Sequence, residues 1–252
     1  AATARRVVCI TGASAGIGAA LAVALATKGT YSLSLVARRS EKLSEVAAMC
    51  GDAQPLCVVA DCSVRAEMQR VVRETIAKFG RIDIFVNNVG NGLTRMPSEL
   101  TDDDVDAMMR LNVKPSLYGM QEVLPHMKER GEGHIINIGS LLGRIPLVPF
   151  RAAYSGAKHF LNALTASFRD EVHETHPNIH VSIVSPGPVK TDFGLSAIHG
   201  GPDSRSFEGG QTAEEVAEVI ARVMESKESD VYTKAGMKER IGEYYSTLGK
   251  DP

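Results

Sequence analysis

The sequence predicts an α/β protein, a single-domain doubly wound parallel sheet with helices on both faces. Three observations carry that expectation. Short apolar runs alternate with helix-like stretches along all 252 residues, and parallel strands need crossovers that are normally right-handed helices. The first run, residues 7–10, leads into a glycine-rich turn, Thr11-Gly12-Ala13-Ser14-Ala15-Gly16-Ile17-Gly18. No composition break, internal repeat or low-complexity tract marks a second domain, so residues 1–252 are expected to form one unit.

The elements follow in order. Residues 7–10 are apolar enough for a buried parallel strand. After the turn, Ile17, Leu21 and Leu25 share one helical face, and Gly29 stands where that helix would end. Glycines at such a turn let the backbone approach a ligand closely, and the helix N-terminus offers free N–H groups to a pyrophosphate. The spacing G-x-x-x-G-x-G is not the commonest dinucleotide fingerprint, so the turn alone also reads as an ordinary tight turn. Residues 31–37 form the second strand. A ribose-binding acid is expected at its end in an NAD site, but Arg38 and Arg39 stand there. Two guanidiniums suit a 2′-phosphate, the alternative being a solvated pair opening the next helix, 40–49.

A third strand at 55–60 ends at Asp61, with Ser63 as the expected N-cap of a helix over 64–79. Gly80 stops it, and a fourth strand, 82–86, runs into Asn87-Asn88-Val89-Gly90. An acidic start at Thr101-Asp102-Asp103-Asp104 opens a helix through Asn112, with a kink or break at Pro115. Residues 134–139 are a fifth strand ending at Ser140, 153–174 a long helix and 179–184 a sixth strand closed by Ser185-Pro186-Gly187-Pro188. Residues 193–211 lack periodicity and are rich in Gly, Ser and Pro, the signature of a functional loop or lid. Thr212-x-x-Glu215 is a capping box for a helix to about 226, followed by a short strand at 230–233 and a frayed helix.

Composition narrows the function. A net charge of -2 gives no reason to expect nucleic acid or an acidic membrane surface. No run approaches the about 18 apolar residues of a membrane helix. The start of the chain has no signal-peptide apolar region, and its lack of a Met suggests that a longer native N-terminus was trimmed. The four cysteines have no C-x-x-C spacing and read as structural free thiols of a reducing, cytoplasmic protein. The seven histidines form no metal-ligand pattern, and no metal is expected.

The chemistry concentrates in Tyr154-Ser155-Gly156-Ala157-Lys158. Tyr and Lys at i, i+4 share a helix face, where the ammonium stabilises phenolate. Taken alone, such a pair is most often a surface pair. The surrounding motifs change that. The chain closely resembles the classical short-chain dehydrogenase/reductase family: Thr11–Gly18 matches its T-G-x-x-x-G-x-G turn, and Asn87-Asn88-Val89-Gly90 is similar to its N-N-A-G segment. Asn112, Ser140, Tyr154 and Lys158 fall in the order of its catalytic tetrad, and Pro186-Gly187-x-Val189-x-Thr191 matches its P-G-x-V-x-T segment. The resemblance covers roughly residues 5 to 233 and implies a Rossmann-type, nicotinamide-dependent oxidoreductase interconverting an alcohol and a carbonyl. It places Gly12, Ser14, Gly16, Ile17, Gly18, Asn88 and Gly90 along the cofactor and Asp61 near its adenine. Lys158 would hold the nicotinamide ribose, and Pro186, Gly187, Val189 and Thr191 the carboxamide end. With Arg38 and Arg39, the expected cofactor is NADP(H) rather than NAD(H).

Two departures stand out. Val89 replaces the usual Ala, and Ser140 lies slightly further from Tyr154 than the family pattern, so the extra residue is expected to bulge into 146–152. Tyr154 would donate the proton as hydride arrives, with Ser140 hydrogen-bonding the same oxygen. Lowering a tyrosine from about 10 to near neutrality takes roughly 4 kcal/mol, so the nicotinamide's charge would add to that of Lys158. By resemblance, Asn112 would hold a water linking Lys158 to solvent. Phe193, Leu195, Ile198, Leu141, Leu142 and the 145–150 loop predict an apolar pocket for a lipophilic carbonyl or secondary alcohol rather than a sugar or free acid, with only Arg144 and Arg151 adding charge. The loop 193–211 is expected to be mobile without ligand and to close over it. Small residues on the long helix (Gly156, Ala157, Ala163, Ala166) suit packing across a two-fold axis, and the resemblance implies a homodimer or homotetramer. The alternatives are an NAD-dependent dehydratase or epimerase, which Arg38-Arg39 disfavours, and a non-catalytic dinucleotide sensor, which has no need of Tyr154 and Lys158.

Overall fold

The structure, a computed structural model, describes residues 5–249. Seven parallel strands lie in the order β3-β2-β1-β4-β5-β6-β7. They are β1 (Arg6–Thr11), β2 (Tyr31–Ala37), β3 (Leu56–Val59), β4 (Ile84–Asn87), β5 (Gly133–Ile138), β6 (Ile179–Ser185) and β7 (Asp230–Tyr232). Helices α1 (Gly16–Lys28), α2 (Ser40–Met49) and α7 (Ala213–Ser226) cover one face. Helices α3 (Arg65–Phe79), α5 (Lys114–Arg130) and α6 (Ala152–Thr175) cover the other, with α4 (Asp102–Asn112) beside α6. A short α8 (Met237–Ser246) follows β7.

Each strand face feeds its own core. Val8, Ile10, Leu33 and Leu35 pack against Leu21 and Leu25 of α1 and Val216 and Ile220 of α7. Cys9, Val36 and Phe85 point the other way, onto Met68, Val71, Met120 and Val123. This opposition is the period-two alternation of a strand buried on both sides, and each such side chain contributes about 1.5–3 kcal/mol by leaving water.

Helix ends follow local chemistry. Gly29 closes α1 at φ 67, its N–H bonding Ala26 C=O. Thr101 and Thr212 each accept a bond from the backbone N–H three residues on, completing capping boxes with Asp104 and Glu215. The break expected near Pro115 falls at Val113, and the proline sits in the first turn of α5, where its missing N–H costs nothing. The expected cap at Ser63 is corrected: its N–H and Oγ both donate to Asp61 Oδ1, at 2.9 and 2.7 Å, and Val64 occupies the N-cap of α3 without a side-chain bond. An aspartate two residues upstream competes for the serine by forming an Asx turn.

All four cysteines are free; Cys9, Cys50 and Cys62 are buried and Cys57 is exposed. Among the described residues no helix is long and apolar enough to cross a membrane, and no cluster of metal-ligating side chains occurs. The reading of the chain start as lacking a leader falls partly on residues 1–4, outside those described.

Candidate active site at the C-terminal strand ends

Strand order reverses between β1 and β4, and a cleft of about 1330 Å³ opens there, above the C-terminal ends of the strands. Its first half is made mainly of backbone. Gly12 and Gly16 turn the chain at φ 66 and 53, and a Cβ on Gly18 would lie 2.5 Å from Gly12 O and 2.6 Å from Asn88 Nδ2. The turn is locked to β4 through Thr11, whose Oγ1 donates to Val86 O at 3.2 Å and accepts from Asn88 N at 3.0 Å. Asn88 Nδ2 in turn donates to Thr11 O and Gly12 O, each at 3.2 Å. Thr11 was not among the expected site residues; its role appears only once β1 and β4 are known to be neighbours.

The N-terminus of α1 differs from those of α4 and α7. Its N-cap is Ala15, with no side-chain cap and no acid in the first turn, whereas α4 and α7 carry capping boxes and acidic first turns. With Gly12, Gly16 and Gly18 clearing space before it, this end fits a dinucleotide pyrophosphate. Arg39 Nη2 reaches Ser14 Oγ at 3.1 Å. Arg38 is exposed beside the same cleft, and its charge acts on Asp61. Burial would raise the Asp61 carboxyl, but the bonds from Ser63 and the charges of Arg38 and Arg110 hold it below the ordinary value.

The second half of the cleft is made of side chains. Tyr154 and Lys158, on the first turns of α6, are both buried, at 7% and 3% exposure. Lys158 Nζ donates to Ile138 O at 2.9 Å and lies 5.8 Å from the Tyr154 ring centroid. Burial lowers Lys158 to about 8 and raises Tyr154 to about 12, the latter against the opposing pull of Ser140 and Arg151. In the protein by itself desolvation outweighs any lowering of the phenol, which leaves the nicotinamide's charge to add to that of Lys158, and the ammonium points to a main-chain carbonyl.

Ser140 Oγ faces the phenol and accepts from Leu142 N at 3.1 Å. Its turn is clamped from α6, where Ser155 Oγ donates to Leu142 O and Asn162 Nδ2 to Gly143 O, each at 2.5 Å. Asn112, fully buried at the end of α4, accepts from Asn91 N at 3.1 Å and donates to Asn91 O at 2.9 Å. A Cβ on Gly90 would lie 3.0 Å from Asn112 Oδ1 and 3.4 Å from Lys158 Nζ, so Asn112 and Lys158 border the same backbone position. Pro186 O accepts from Leu141 N at 2.7 Å, and Pro186, Gly187, Val189 and Thr191 line the cleft.

The loop 193–211 lies across this end. Phe193 meets Tyr154 edge to face at 5.4 Å, and Ile198 forms a parallel bridge with Leu93. Thr94 Oγ1 donates to Gly200 O, and His199 pairs with Asp104 at 2.8 Å. Leu142, Leu147, Val148, Phe150 and Phe193 supply apolar lining. Leu195 instead faces solvent, Ile198 packs on Leu93, and Ile145 is wholly buried, so these three do not line the cleft as expected. Arg144 also leaves the site, pairing with Asp230.

Comparisons with known proteins identify the family. The family model described as short chain dehydrogenase matches residues 6–198. An uncharacterized oxidoreductase of Staphylococcus saprophyticus is 34% identical over 188 residues, covering 75% of this chain and 76% of that protein. An alcohol dehydrogenase from Thermococcus sibiricus, solved with 5-hydroxy-NADP, is similar with a TM-score of 0.78 and 27% identity, over 90% of this chain and 95% of that one. A short chain dehydrogenase/reductase from Burkholderia phymatum, solved with NAD, superposes with a TM-score of 0.87 over 98% and 97% of the two chains, and at 20% identity shows the shared fold. By matched motif, fold and sequence, this chain belongs to the short-chain dehydrogenase/reductase family of oxidoreductases.

Proposed function

We propose that the protein catalyses hydride transfer between NADP(H) and a lipophilic carbonyl or the matching secondary alcohol. The observation that carries this reading is the continuity of the cleft from the uncapped start of α1 to Tyr154, with Ser140 against the phenol and Lys158 behind it. The cofactor, when bound, supplies the hydride, and the chain supplies placement and the proton. Tyr154 at about 12 keeps its proton at neutral pH, the form needed to protonate a carbonyl oxygen during reduction. Ser140 Oγ is placed to hydrogen-bond that same oxygen as charge develops. Lys158 and Asn112 border Gly90, on the side where the nicotinamide ribose would lie. Ser14, Arg38 and Arg39 form the 2′-phosphate pocket that favours NADP(H) over NAD(H). The loop 193–211 acts as the lid, opening by release of its contacts with Leu93, Thr94 and Asp104.

The reading extends to a cytoplasmic protein, which the absence of C-x-x-C spacing among its four cysteines supports, acting as a homodimer or homotetramer through α6. Of the small residues expected on that face, Ala157 turns inward, while Gly156 and Ala163 are exposed with Phe160 between them. The direct test measures NADPH and NADH oxidation against a panel of lipophilic aldehydes and ketones. Consumption of NADPH with a lipophilic ketone is expected. Turnover of a sugar without net cofactor consumption would point to an epimerase, and tight NADPH binding without any turnover to a sensor.

A further inference from the structure

Arg151 stands apart from the other arginines around the reacting end. Arg95 pairs with Asp104, Arg144 with Asp230 and Arg205 with Asp203. Arg151 is 6% exposed, yet among the described residues it has no carboxylate partner, and its Nη1 is buried without any hydrogen bond. The guanidinium is held in place from several sides. A Cβ on Gly92 would lie 2.5 Å from Nη1, and one on Gly201 would lie 2.7 Å from Nη2. The Phe150 and Phe193 rings are 5.7 and 6.0 Å from Cζ. Arg151 also lines the cleft, one helical turn ahead of Tyr154, whose phenol feels its charge. A buried guanidinium left without a counter-charge is costly, and the cleft is where a counter-charge can enter.

We propose that Arg151 is a specificity residue that receives a carboxylate of the substrate, so that the natural substrate is an oxo acid, or its hydroxy acid, with an apolar body. This rests on the oxidoreductase reading for the position of the carbonyl at Tyr154. One planar guanidinium matches one carboxylate in geometry and charge. A phosphate dianion would leave excess negative charge among the apolar walls of Leu147, Phe150 and Phe193. The apolar walls still select a lipophilic body, and what changes from the sequence-based expectation is that a free acid becomes the preferred form.

Two measurements on the full chain test this, with Arg151→Met and Arg151→Lys as variants and melting temperature and NADPH affinity as controls for folding. The first is the ratio of kcat/KM for an aryl oxo acid to that for its methyl ester. Wild type should favour the acid by about 10- to 100-fold, Arg151→Met should bring the ratio to one or below, and Arg151→Lys should restore part of it. The second is calorimetric binding of 4-phenylbutyrate and its carboxamide to the NADP-loaded protein, which needs no turnover. The carboxylate should bind at least tenfold more tightly than the amide in wild type and not in Arg151→Met. Equal binding of acid and amide by wild type overturns the proposal. So does a loss of kcat in Arg151→Met that is the same for acid and ester and displaces the pH profile, since Arg151 would then act through Tyr154. Selective carboxylate binding without reduction of any carbonyl supports the anion site and refutes the oxidoreductase reading instead.

Discussion

The two halves of the cleft are built by different means. Around β1 and β4 the surface is main chain: positive-φ glycines, an uncapped helix start, and Thr11 and Asn88 joining the strand ends. Around β5 and β6 it is side chain: Tyr154, Lys158, Ser140, Phe193 and Arg151, drawn from segments separated in sequence and held by clamps such as Ser155 and Asn162. A backbone site tolerates no added atom but is indifferent to most side chains. A side-chain site can change its chemistry one residue at a time while the frame stays fixed.

Substitutions on each side should separate these behaviours. The largest effect is expected from Tyr154→Phe, which removes the transferable proton and little volume. Turnover should fall by 10²–10⁴-fold with NADPH affinity nearly unchanged, as read by steady-state rates and cofactor fluorescence; retention of a tenth of wild-type kcat would remove Tyr154 from its role. Gly18→Ala should do the reverse. Its Cβ meets Gly12 O at 2.5 Å, so thermal unfolding should show a loss of about 1–3 kcal/mol, and NADPH titration a weakening of at least tenfold.

Arg38→Asp probes the margin of the nucleotide half. Preference for NADP over NAD should reverse, with roughly 1.5–3 kcal/mol at stake per charged hydrogen bond. Equal wild-type affinities for the two cofactors would count against Arg38 and Arg39 together.

Much of this contrast was legible beforehand, because the backbone half is written in contiguous runs. Thr11–Gly18, Asn87–Gly90 and Pro186–Thr191 each carry their geometry locally, and Tyr154 with Lys158 needs only the helical period. The fold was legible for the same reason, since buried strands separated by amphipathic helices leave few other topologies. What escaped was non-local. Nothing near Arg151 says that its Nη1 finds no partner among the described residues, and nothing near His199 says that it pairs with Asp104. The depth of Lys158 and its bond to Ile138 O are likewise tertiary facts.

That depth makes a pH prediction. Lys158 falls from 10.5 to about 8 because burial disfavours its ammonium. Between those values the unfolded chain binds the proton more tightly than the folded one, so this residue's contribution to stability rises with pH across that window. The free-energy difference between wild type and Lys158→Met should shift toward wild type by on the order of 1–3 kcal/mol from pH 8 to 10.5. A difference that stays constant would place the amine in water.

The smallest effect is expected at the lid. Hydrogen bonding from His199, then from Thr101, holds the Asp104 carboxyl at about 2, so Asp104 stays a carboxylate, able to accept those bonds, until pH falls toward that figure. Asp104→Asn should raise protease cleavage within residues 193–211 severalfold at neutral pH, while NADP and an inhibitor suppress it in wild type. Cleavage unaffected by either change would make the segment a plain connector.

The position of β1 has a further consequence, for the order in which the molecule is made. Val8 pairs with Leu33 on one side and Ile84 on the other, so β1 gains its second neighbour only after two further strands have been made. Until β4 emerges from the ribosome, the glycine turn has no Asn88 to close it and one edge of β1 lies open. A nascent chain halted before residue 84 would offer that bare edge to chaperones or to other strands. One extended past Asn88 could already close its nucleotide cradle while the machinery that reacts is still unmade.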